Sequence, residues 1–440
     1  MTLSFDSLLV TLEEAINGSP DPRKPSNATR YSLRDIVLGG FSCFFMQHES
    51  FLEYQRQLES RQGHNNAASL FGIEQIPSVE QIRNVLDGVA PEPLFCVFCE
   101  VFRQLQQAGY LKSFECLGGN LLVALDGTDY HSSQKISCPC CSTRQARNGQ
   151  ITYSHKAILP VIVAPNQSSV FSLPPALVTP QDGHEKQDCE QAAAKRWLSD
   201  YCDLAATQSL TVLGDDLFST QPMCESALAN GFNFIFVCRP DSHPVLYDWL
   251  AFQQAHGHIK TVTREVGRGK NQEIWHYRYL NDVPLRAEAP SLSVNWCELT
   301  ITRKRDGKRI YFNSWVTNHR LTPQTVIEVA AAGRCRWKTE NENNNVLKNR
   351  GYHLEHNFGH GQQHLATCLL TLNLLAFLFH TVLASVDQRY QQIRQIRGTR
   401  RGFFQDIVAL TKYWGFESWT ALLDFMLDDT PQAKPISNTS

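Results

Sequence analysis

The sequence has almost no excess charge of either sign. Its 440 residues contain 41 Lys and Arg against 43 Asp and Glu, for a formal net charge of -2. That balance neither supports nor excludes a nucleic-acid partner, because such binding needs only a local basic face. Charged residues make up 19% of the chain and apolar residues 42%, so wholesale disorder is excluded and two or three domains are expected.

The chain also lacks a recognisable secretory signal and an internal repeat. Its first residues, MTLSFD, do not form the basic segment followed by an apolar segment that a signal peptide needs. We therefore expect a cytoplasmic protein. In that setting the fourteen cysteines are expected to be reduced or to bind metal, not to form disulfides.

Only one apolar run is long enough to span a membrane. Residues 365–386 read LATCLLTLNLLAFLFHTVLASV and contain Asn373 and His380. The run stands alone and has no asymmetry of basic flanks. We favour a buried helix of a globular domain over a membrane span, and expect no membrane partner.

The periodicity of apolar residues changes twice along the chain. Residues 1–120 are predicted to be helical, with Ser78 and Gln81 spaced as in a capping box before a helix that weakly resembles the second half of a helix-turn-helix. This region is predicted to bind DNA and to dimerise. Residues 121–240 alternate short apolar strands with helices, which predicts an α/β core that is at least partly parallel.

A third pattern of residues follows the α/β core. Residues 241–332 contain four segments of alternating β-branched and aromatic residues, with Asp306-Gly307 as a hairpin turn between the last two. These features predict an antiparallel β insertion. Residues 333–386 are helical and are predicted to complete the core. Residues 387–440 form a basic helical tail whose end, residues 430–440, is predicted to be disordered.

Three carboxylates stand at the ends of these predicted elements. Asp126 follows the strand 121–125, Asp215 follows the strand 210–213, and Glu340 lies on the helix after the β insertion. Because the carboxyl ends of strands in an open α/β sheet form the ligand crevice, the three side chains are predicted to converge. Oxygen ligands suit Mg²⁺ or Mn²⁺, and two such ions would support phosphodiester chemistry.

Each carboxylate also has an ordinary interpretation. Asp126 precedes Gly127, and Asp-Gly is a common turn pair. Asp215 and Asp216 could cap a helix, and Glu340 could lie on a solvated helix face. We favour a nuclease triad. The less favoured alternative is that all three residues have these ordinary roles and only happen to stand in the order of such a triad.

The order Asp, Asp, β insertion, Glu resembles the DDE transposases of bacterial insertion sequences. The stretches LDGTDYHSS, GHEKQDCE, RWKTENE and KNRGYHLEHNFGHG are similar to one group of them, over roughly residues 30–390. In the family's glutamate helix, Arg336 and Glu340 match the pattern. Gly333 stands where Tyr is expected, and Lys348 comes one residue late. The family's second Asp is followed three positions later by an aromatic residue. Phe218 stands three positions after Asp215, which favours Asp215 over Asp216 as the second acidic residue.

The resemblance implies a fold class, an activity and partners. The fold would be an α/β ribonuclease H-like core interrupted by an antiparallel β insertion, with a helical N-terminal region and a helical C-terminal tail. The enzyme would cut element ends and join the 3′-OH to target DNA, using Asp126, Asp215 and Glu340 to hold Mg²⁺ or Mn²⁺. Double-stranded DNA would be the partner, and a homodimer on DNA in the bacterial cytoplasm, at the nucleoid, is expected.

Basic residues near the glutamate are the candidate DNA contacts. They are Arg336, Lys348, Arg350 and His356. The tryptophans of the β insertion, Trp275, Trp296 and Trp315, could stack on a flipped base, but packing in the insertion is favoured.

Two rival functions remain open. The first is a metal-dependent nuclease that cuts DNA without joining it. The second is a catalytically inactive DNA-binding protein of the same fold. The presence of Gly333 where the family pattern has Tyr leaves this function open.

A cysteine cluster provides a second candidate site. Cys138 and Cys141 have the two-residue gap of a zinc knuckle, and His155, His131 or Cys189 could complete the ligand set. We take Cys138, Cys141 and His155 as the candidate zinc ligands. The alternative is a reduced loop without metal. A zinc deaminase is disfavoured, because the required His-x-Glu does not precede the cysteines.

Overall fold

The computed structural model describes residues 3–27, 29–180 and 189–428. The chain folds into two units. The helical unit comprises residues 1–104 and 347–440, and the core unit comprises residues 105–346. The predicted disordered end, residues 430–440, and residues 183–188 of the stretch GHEKQDCE lie outside the described residues.

The helical unit is built from short helices with defined N-terminal caps. Serines at positions 4, 32, 50, 60 and 78 each accept a backbone N–H of the first turn, including the predicted cap at Ser78. The helices are Phe5–Asn17, Leu33–Phe45, Phe51–Leu58, Arg61–Phe71, Val79–Asp87, Glu92–Gln107 (whose last residues enter the core unit), Leu365–Val386, Gln388–Arg397, Arg400–Tyr413 and Trp419–Leu427.

The apolar helix Leu365–Val386 is the central element of this unit. It is the one helix among the described residues that is long and apolar enough to cross a membrane, and 83% of its most apolar window is buried inside the structure. Its polar residues are bonded within the unit: Asn373 Nδ2 donates to the Tyr352 carbonyl at 2.7 Å, and His380 Nδ1 lies 2.7 Å from the Tyr352 hydroxyl. The burial agrees with the favoured prediction of a buried helix.

The units differ from the predicted domain bounds. The prediction assigned residues 333–386 to the catalytic core and residues 387–440 to a separate tail. In the structure, residues 347–440 group with the N-terminal helices. The physical reason is the helix Leu365–Val386, which packs against Leu33–Phe45 with contacts such as Phe41 to Phe379 at 5.1 Å between ring centroids.

The core unit is a mixed α/β structure. Its strands are β1 (Leu121–Ala124), β2 (Gly127–Ser133), β3 (Ser142–Gln145), β4 (Ile151–Ile158), β5 (Val161–Val163), β6 (Phe171–Ser172), β7 (Ala176–Val178), β8 (Leu210–Gly214), β9 (Asn233–Val237), β10 (Lys260–Val266), β11 (Glu273–Pro284), β12 (Ser293–Arg303) and β13 (Arg309–Thr317). The helices are Glu190–Asp200, Cys202–Thr207, Gln221–Ala229, Pro244–Ala255 and Thr325–Arg334, followed by the π-helix Thr339–Asn344 and the short helix Asn345–Asn349, which enters the helical unit.

Nine strands form one sheet in the order β10-β11-β12-β13-β9-β8-β1-β5-β6. The strands β1, β8 and β9 run parallel, and the other neighbours are antiparallel. The four strands of the predicted β insertion are present as β10 to β13. They do not form a separate module, however, because β13 pairs with β9 and continues the core sheet.

A long β-hairpin bends from this sheet into a second one. The runs β1–β2 and β4–β5 pair with each other, but β1 and β5 belong to the nine-stranded sheet and β2 and β4 to a small sheet with β3 and β7. The bend lies between Asp126 and Leu159, whose N–H donates to the Asp126 carbonyl at 3.0 Å. Asp126 is therefore part of a bent strand and not of the Asp-Gly turn considered from the sequence.

The carboxylate of Asp87 fixes the start of the central helix. It accepts the backbone N–H groups of Gln362, Gln363, His364 and Leu365 at 2.9–3.2 Å. Burial raises the pKa of Asp87, but these four donors outweigh it and the net pKa is lowered. A folded-state pKa below that of the unfolded chain means that the carboxylate stabilises the fold at neutral pH and stops doing so as the pH falls through the lowered pKa.

We predict that Asp87→Ala lowers the free energy of unfolding by about 1–2 kcal/mol at pH 7, the usual cost of losing a helix cap. The loss should shrink as the pH falls from the ordinary range of Asp through the lowered pKa of Asp87, because the wild-type carboxylate is protonated there too. Denaturant unfolding and hydrogen exchange at residues 362–368 measure it. Asn84→Ala, at an exposed position of the same helix, serves as control. Equal effects of the two substitutions would contradict the prediction.

Candidate functional site

The two aspartates lie side by side at one edge of the sheet. The parallel strands β1 and β8 place Ala124 opposite Leu213, and the Leu125 N–H donates to the Leu213 carbonyl at 2.9 Å. Asp126 and Asp215 therefore follow their strands at the same level, at the carboxyl ends where α/β proteins bind ligands. Both side chains are half-buried.

Asp215 and Asp216 have different roles in the structure. One Asp215 carboxylate oxygen accepts the Leu217 N–H at 2.9 Å, while Asp216 accepts the Arg239 N–H at 2.7 Å and lies 3.9 Å from His243 Nε2. The negative charge of Asp215 acts on Asp126. Asp215 thereby caps the short helical turn Asp216–Phe218, as its ordinary interpretation expects, and its choice as the second acidic residue stays a prediction.

Glu340 lies on an irregular helix. It is exposed, and residues Thr339–Asn344 form a π-helical turn in which the Asn345 N–H donates to the Glu340 carbonyl, five residues back. Such turns hold one residue more than an α-helical turn and are frequent at functional sites.

A buried lysine anchors the glutamate helix to the sheet. Lys338 is 6% exposed, and its ammonium donates to the carbonyls of Ala164, Pro165 and Gln167, in the loop after β5. A buried ammonium needs such partners, since leaving it unpaired would cost several kcal/mol. Lys338 thus fixes the helix two residues before Glu340.

The departure at Gly333 has a steric cause. A Cβ atom at Gly333 would lie 2.5 Å from the indole nitrogen of Trp315, which is fully buried on β13. A tyrosine cannot occupy this position while Trp315 keeps its place. The Trp315 indole therefore occupies the space that a side chain at position 333 would need.

The site is a concentration of negative charge around Asp126. Burial raises the pKa of Asp126 to about 6, and the charges of Glu340, Asp215 and Glu190 also raise it against the lowering effect of Arg336. An Arg336 guanidinium nitrogen lies 3.8 Å from Asp126 Oδ1, and Asn344 Nδ2 donates to Asp126 Oδ2 at 3.1 Å. The charges of Glu340 and Asp215 thus both act on Asp126.

The three carboxylates do not form a ready metal site. Within residues 3–27, 29–180 and 189–428, Asp126, Asp215 and Glu340 are not grouped closely enough to hold one metal ion together.

Glu190 and Asn344 are site residues that the sequence did not single out. The Glu190 carboxylate pairs with Lys156 at 3.0 Å and lies so close to Gly127 that a Cβ there would be 2.4 Å from its carboxyl carbon. The stretch GHEKQDCE contained Glu190, but nothing in its spacing distinguished that residue. Asn344 lies in a run of polar residues, and the π-helical turn decides which of their side chains points toward Asp126.

The predicted DNA contacts fall in both units. Arg336 belongs to the core unit and faces Asp126. The other three belong to the helical unit: Lys348 pairs with Glu355 at 2.8 Å, Arg350 is exposed, and the exposed ring of His356 lies 4.8 Å from that of Phe358. Their role in DNA binding stays a prediction.

The tryptophans of the β insertion are mostly packing residues. Trp296 and Trp315 are fully buried, which agrees with the favoured interpretation. Trp275 is half-buried, and the Arg334 guanidinium lies 4.8 Å from its ring centroid.

Two turns at one end of the insertion form an exposed basic surface. The β10–β11 and β12–β13 turns are joined by the Lys304 N–H, which donates to the Gln272 carbonyl at 2.9 Å. Two bases of this surface pair with acids: Lys304 with Glu265 at the end of β10, and Arg305 with Asp306 in its own turn. We call this surface the basic turn cluster; its members are Arg268, Lys270, Lys304, Arg305, Lys308 and Arg309.

The candidate zinc ligands lie at the far end of the bent hairpin. Cys138 Sγ and Cys141 Sγ are 3.8 Å apart, and His155 Nε2 lies 3.4 Å and 3.6 Å from them. All fourteen cysteines are among the described residues and none forms a disulfide. The cluster could hold a metal ion.

We predict that Asp126→Asn stabilises the protein at neutral pH without added metal. The folded state keeps the Asp126 proton up to a pKa of about 6, whereas the unfolded chain loses it near pH 4, so stability falls as the pH rises between the two. The amide should remove that penalty, a gain of about 1–3 kcal/mol above pH 6 and almost none at pH 4.

Thermal unfolding of both proteins from pH 4 to pH 8 measures this difference. Asp203→Asn removes one exposed carboxylate elsewhere in the core unit and is the control. A variant that is less stable than the wild type at pH 7 would contradict the assignment of an unfavourable charge to Asp126.

Comparison with known proteins adds little. No family model and no curated protein matches the sequence. Among solved structures, the chain is similar to one described as a piggyBac transposase synaptic complex with hairpin DNA, with a TM-score of 0.40 and 9% identity over 98% of this chain and 80% of that one. At that level of similarity, the function has to be argued from the site.

Proposed function

We propose that the protein is a DDE-type DNA transposase that cuts element ends and joins the freed 3′-OH to target DNA. In this proposal the strands β6, β5, β1, β8 and β9 are a ribonuclease H-like core. The observation that carries it is the edge of the sheet at which Asp126 and Asp215 follow adjacent parallel strands and the charge of Glu340 acts on Asp126.

The donor set fits Mg²⁺ or Mn²⁺. The site offers oxygen ligands from Asp126, Asp215 and Glu340, with Glu190 as a further carboxylate. Such hard oxygen ligands are what these ions prefer. Burial raises the pKa of Asp126, and the charges of Glu340, Asp215 and Glu190 add to the rise against the lowering effect of Arg336. Divalent ions would stabilise the ionised carboxylate. When bound, the ions would activate the attacking oxygen and stabilise the leaving one.

The proposed reaction consists of two in-line displacements at phosphorus. In the first, a water oxygen attacks the phosphodiester, the bond from phosphorus to the 3′-oxygen breaks, and that oxygen takes up a proton. In the second, the new 3′-OH loses its proton and attacks a target phosphodiester, whose own 3′-oxygen leaves. The site serves both steps, because the attacking and leaving oxygens occupy equivalent positions.

The protein's own groups position these steps. Arg336 lies near the carboxylates and is placed to hold a non-bridging phosphate oxygen, as a guanidinium does well. Asn344 holds the Asp126 carboxylate by donating to Oδ2. Lys338 fixes the helix that carries Glu340, so that binding of DNA need not order it.

We predict that Asp126→Ala abolishes cutting and joining, by roughly 10³-fold or more, and leaves DNA binding intact. The substrate is a supercoiled plasmid that carries the DNA flanking the coding sequence, with Mg²⁺ or Mn²⁺ present; gels resolve nicked, linear and joined products, and a mobility shift measures binding. Asp129→Ala, at an exposed position three residues further along the bent hairpin, is the matched control.

The same assay separates the rivals. Cleavage by the wild type without joined product would identify a nuclease. DNA binding without cleavage, together with no heat of Mn²⁺ binding by calorimetry in the presence of DNA, would identify an inactive DNA-binding protein. Cleavage retained by Asp126→Ala would overturn the assignment of the site.

The basic turn cluster is the surface we propose for contact with the DNA backbone. Each phosphate contact adds about 0.9 to the slope of log affinity against log salt concentration. We predict that Arg268→Ala/Lys270→Ala weakens binding to duplex DNA at low salt and lowers that slope by about 1–2. Lys24→Ala/Lys112→Ala removes two exposed lysines elsewhere and should leave the slope unchanged. Equal slopes for all three proteins would contradict this surface.

A further inference from the structure

The Cys138, Cys141 and His155 side chains are spaced as ligands of one tetrahedral ion. Zinc bound at about 2.3 Å to sulfur and 2.0–2.1 Å to nitrogen, with tetrahedral angles, requires about 3.8 Å between sulfurs and about 3.6 Å between sulfur and nitrogen. The observed separations are 3.8 Å between the two Sγ atoms and 3.4 Å and 3.6 Å from them to His155 Nε2. All three distances match the requirement to within about 0.2 Å.

Neither a disulfide nor simple core packing explains this spacing. A disulfide would bring the two sulfur atoms to about 2.05 Å, far closer than 3.8 Å. Core packing would not require two thiols and an imidazole nitrogen to point at a common centre. Cys141 and His155 are both buried, so their polar atoms need a partner in the interior.

The backbone of the cysteine loop also has the form of a zinc knuckle. The Cys141 N–H donates to the Cys138 carbonyl at 3.1 Å, which closes a tight turn, and the Cys138 N–H lies 3.4 Å from Cys141 Sγ. This N–H group helps to fix the position of the Cys141 sulfur. The two-residue gap between the cysteines makes this turn possible.

The three ligands join parts of the small sheet that strand pairing alone holds loosely. Cys138 and Cys141 lie in the connection between β2 and β3, and His155 lies on β4, next to the residue that pairs with Ser142. The strand β3 has only four residues, three of them exposed. An ion at this point ties the connection and β3 to β4.

We propose that Cys138, Cys141 and His155 hold a structural Zn²⁺ ion that fixes the far end of the bent hairpin. Two thiolates and an imidazole select zinc over magnesium, which prefers oxygen ligands. A fourth donor completes the tetrahedron. The zinc site is chemically distinct from the carboxylate site and exists whether or not that site cuts DNA.

The position of the zinc site gives it a mechanical role. The strands β2 and β4 lead from the zinc ligands to the bend at Asp126, and their pairing extends to Gly127 and Ile158. Fixing their far end limits the twisting of the hairpin on which the first carboxylate is carried. Loss of the ion should therefore increase hydrogen exchange more in residues 127–158 than in the nine-stranded sheet.

The first test measures metal in the native protein. Full-length protein purified from zinc-supplemented cells is expected to contain about one zinc per chain by mass spectrometry of the metal. Its X-ray absorption spectrum should show two sulfur neighbours at about 2.3 Å together with nitrogen neighbours. Protein grown with Co²⁺ should show a sulfur-to-cobalt charge-transfer band. Protein without zinc, and without that band after growth in cobalt, would overturn the proposal.

The second test uses variants in the same loop. Cys138→Ser and Cys141→Ser are expected to lose the zinc, whereas Cys140→Ser, which alters the neighbouring thiol, should keep it. Hydrogen exchange should rise in residues 127–158 of the first two proteins and not in the third. Should the ligand variants fail to fold, release of zinc from the wild type by a mercurial, followed optically, gives the same answer. Retention of zinc by both ligand variants would contradict the assignment.

These measurements are separate from the transposase proposal. Asp126→Ala removes a carboxylate of the other site and should retain its zinc in full. Zinc bound by a protein that neither cuts nor joins DNA would uphold the zinc site and defeat the proposed activity. Cutting and joining of DNA by a protein that binds no zinc would uphold the proposed activity and defeat the zinc site.

Discussion

The half-buried charge of Asp126 is the constraint on which the rest of the core unit depends. Burial and three neighbouring carboxylates disfavour its ionised form, and they raise its pKa to about 6. A protein can tolerate such a charge only if other groups position it and partly balance it. Arg336 and Asn344 do so here, from the helix that follows the β insertion. Unfavourable charge retained at a sheet edge is typical of a site selected for function at some cost in stability.

Sheet and helix are held together by contacts outside the acidic site. Lys338 binds three carbonyls of the loop after β5, and Trp315 of β13 covers Gly333. The β insertion therefore has two structural roles: it extends the core sheet through β9, and it supplies the indole against which the helix Thr325–Arg334 packs.

Local sequence patterns predicted most of the strands well. Apolar runs ending in Asp126 and Asp215 marked the carboxyl ends of two neighbouring strands, because a buried strand and its terminating polar residue are both local signals. The close set of Cys138, Cys141 and His155 was likewise visible in part, from the spacing of the cysteines.

Features that depend on distant contacts were not predictable. The bend of the hairpin at Leu159-Pro160, the pairing of β13 with β9 and the grouping of residues 347–440 with the N-terminal helices all depend on tertiary packing. Glu190 and Lys338 gave no signal, because a charged residue on a helix is usually solvated and its burial shows only in three dimensions. The π-helical turn at Glu340 likewise gave no signal in the sequence.

The contact between Gly333 and Trp315 has an evolutionary consequence. The two positions lie on different elements, yet a side chain at one requires lost volume at the other. A related protein with an aromatic residue at position 333 would need a small residue at position 315. Neither site can drift alone, and the pair should be inherited as one unit.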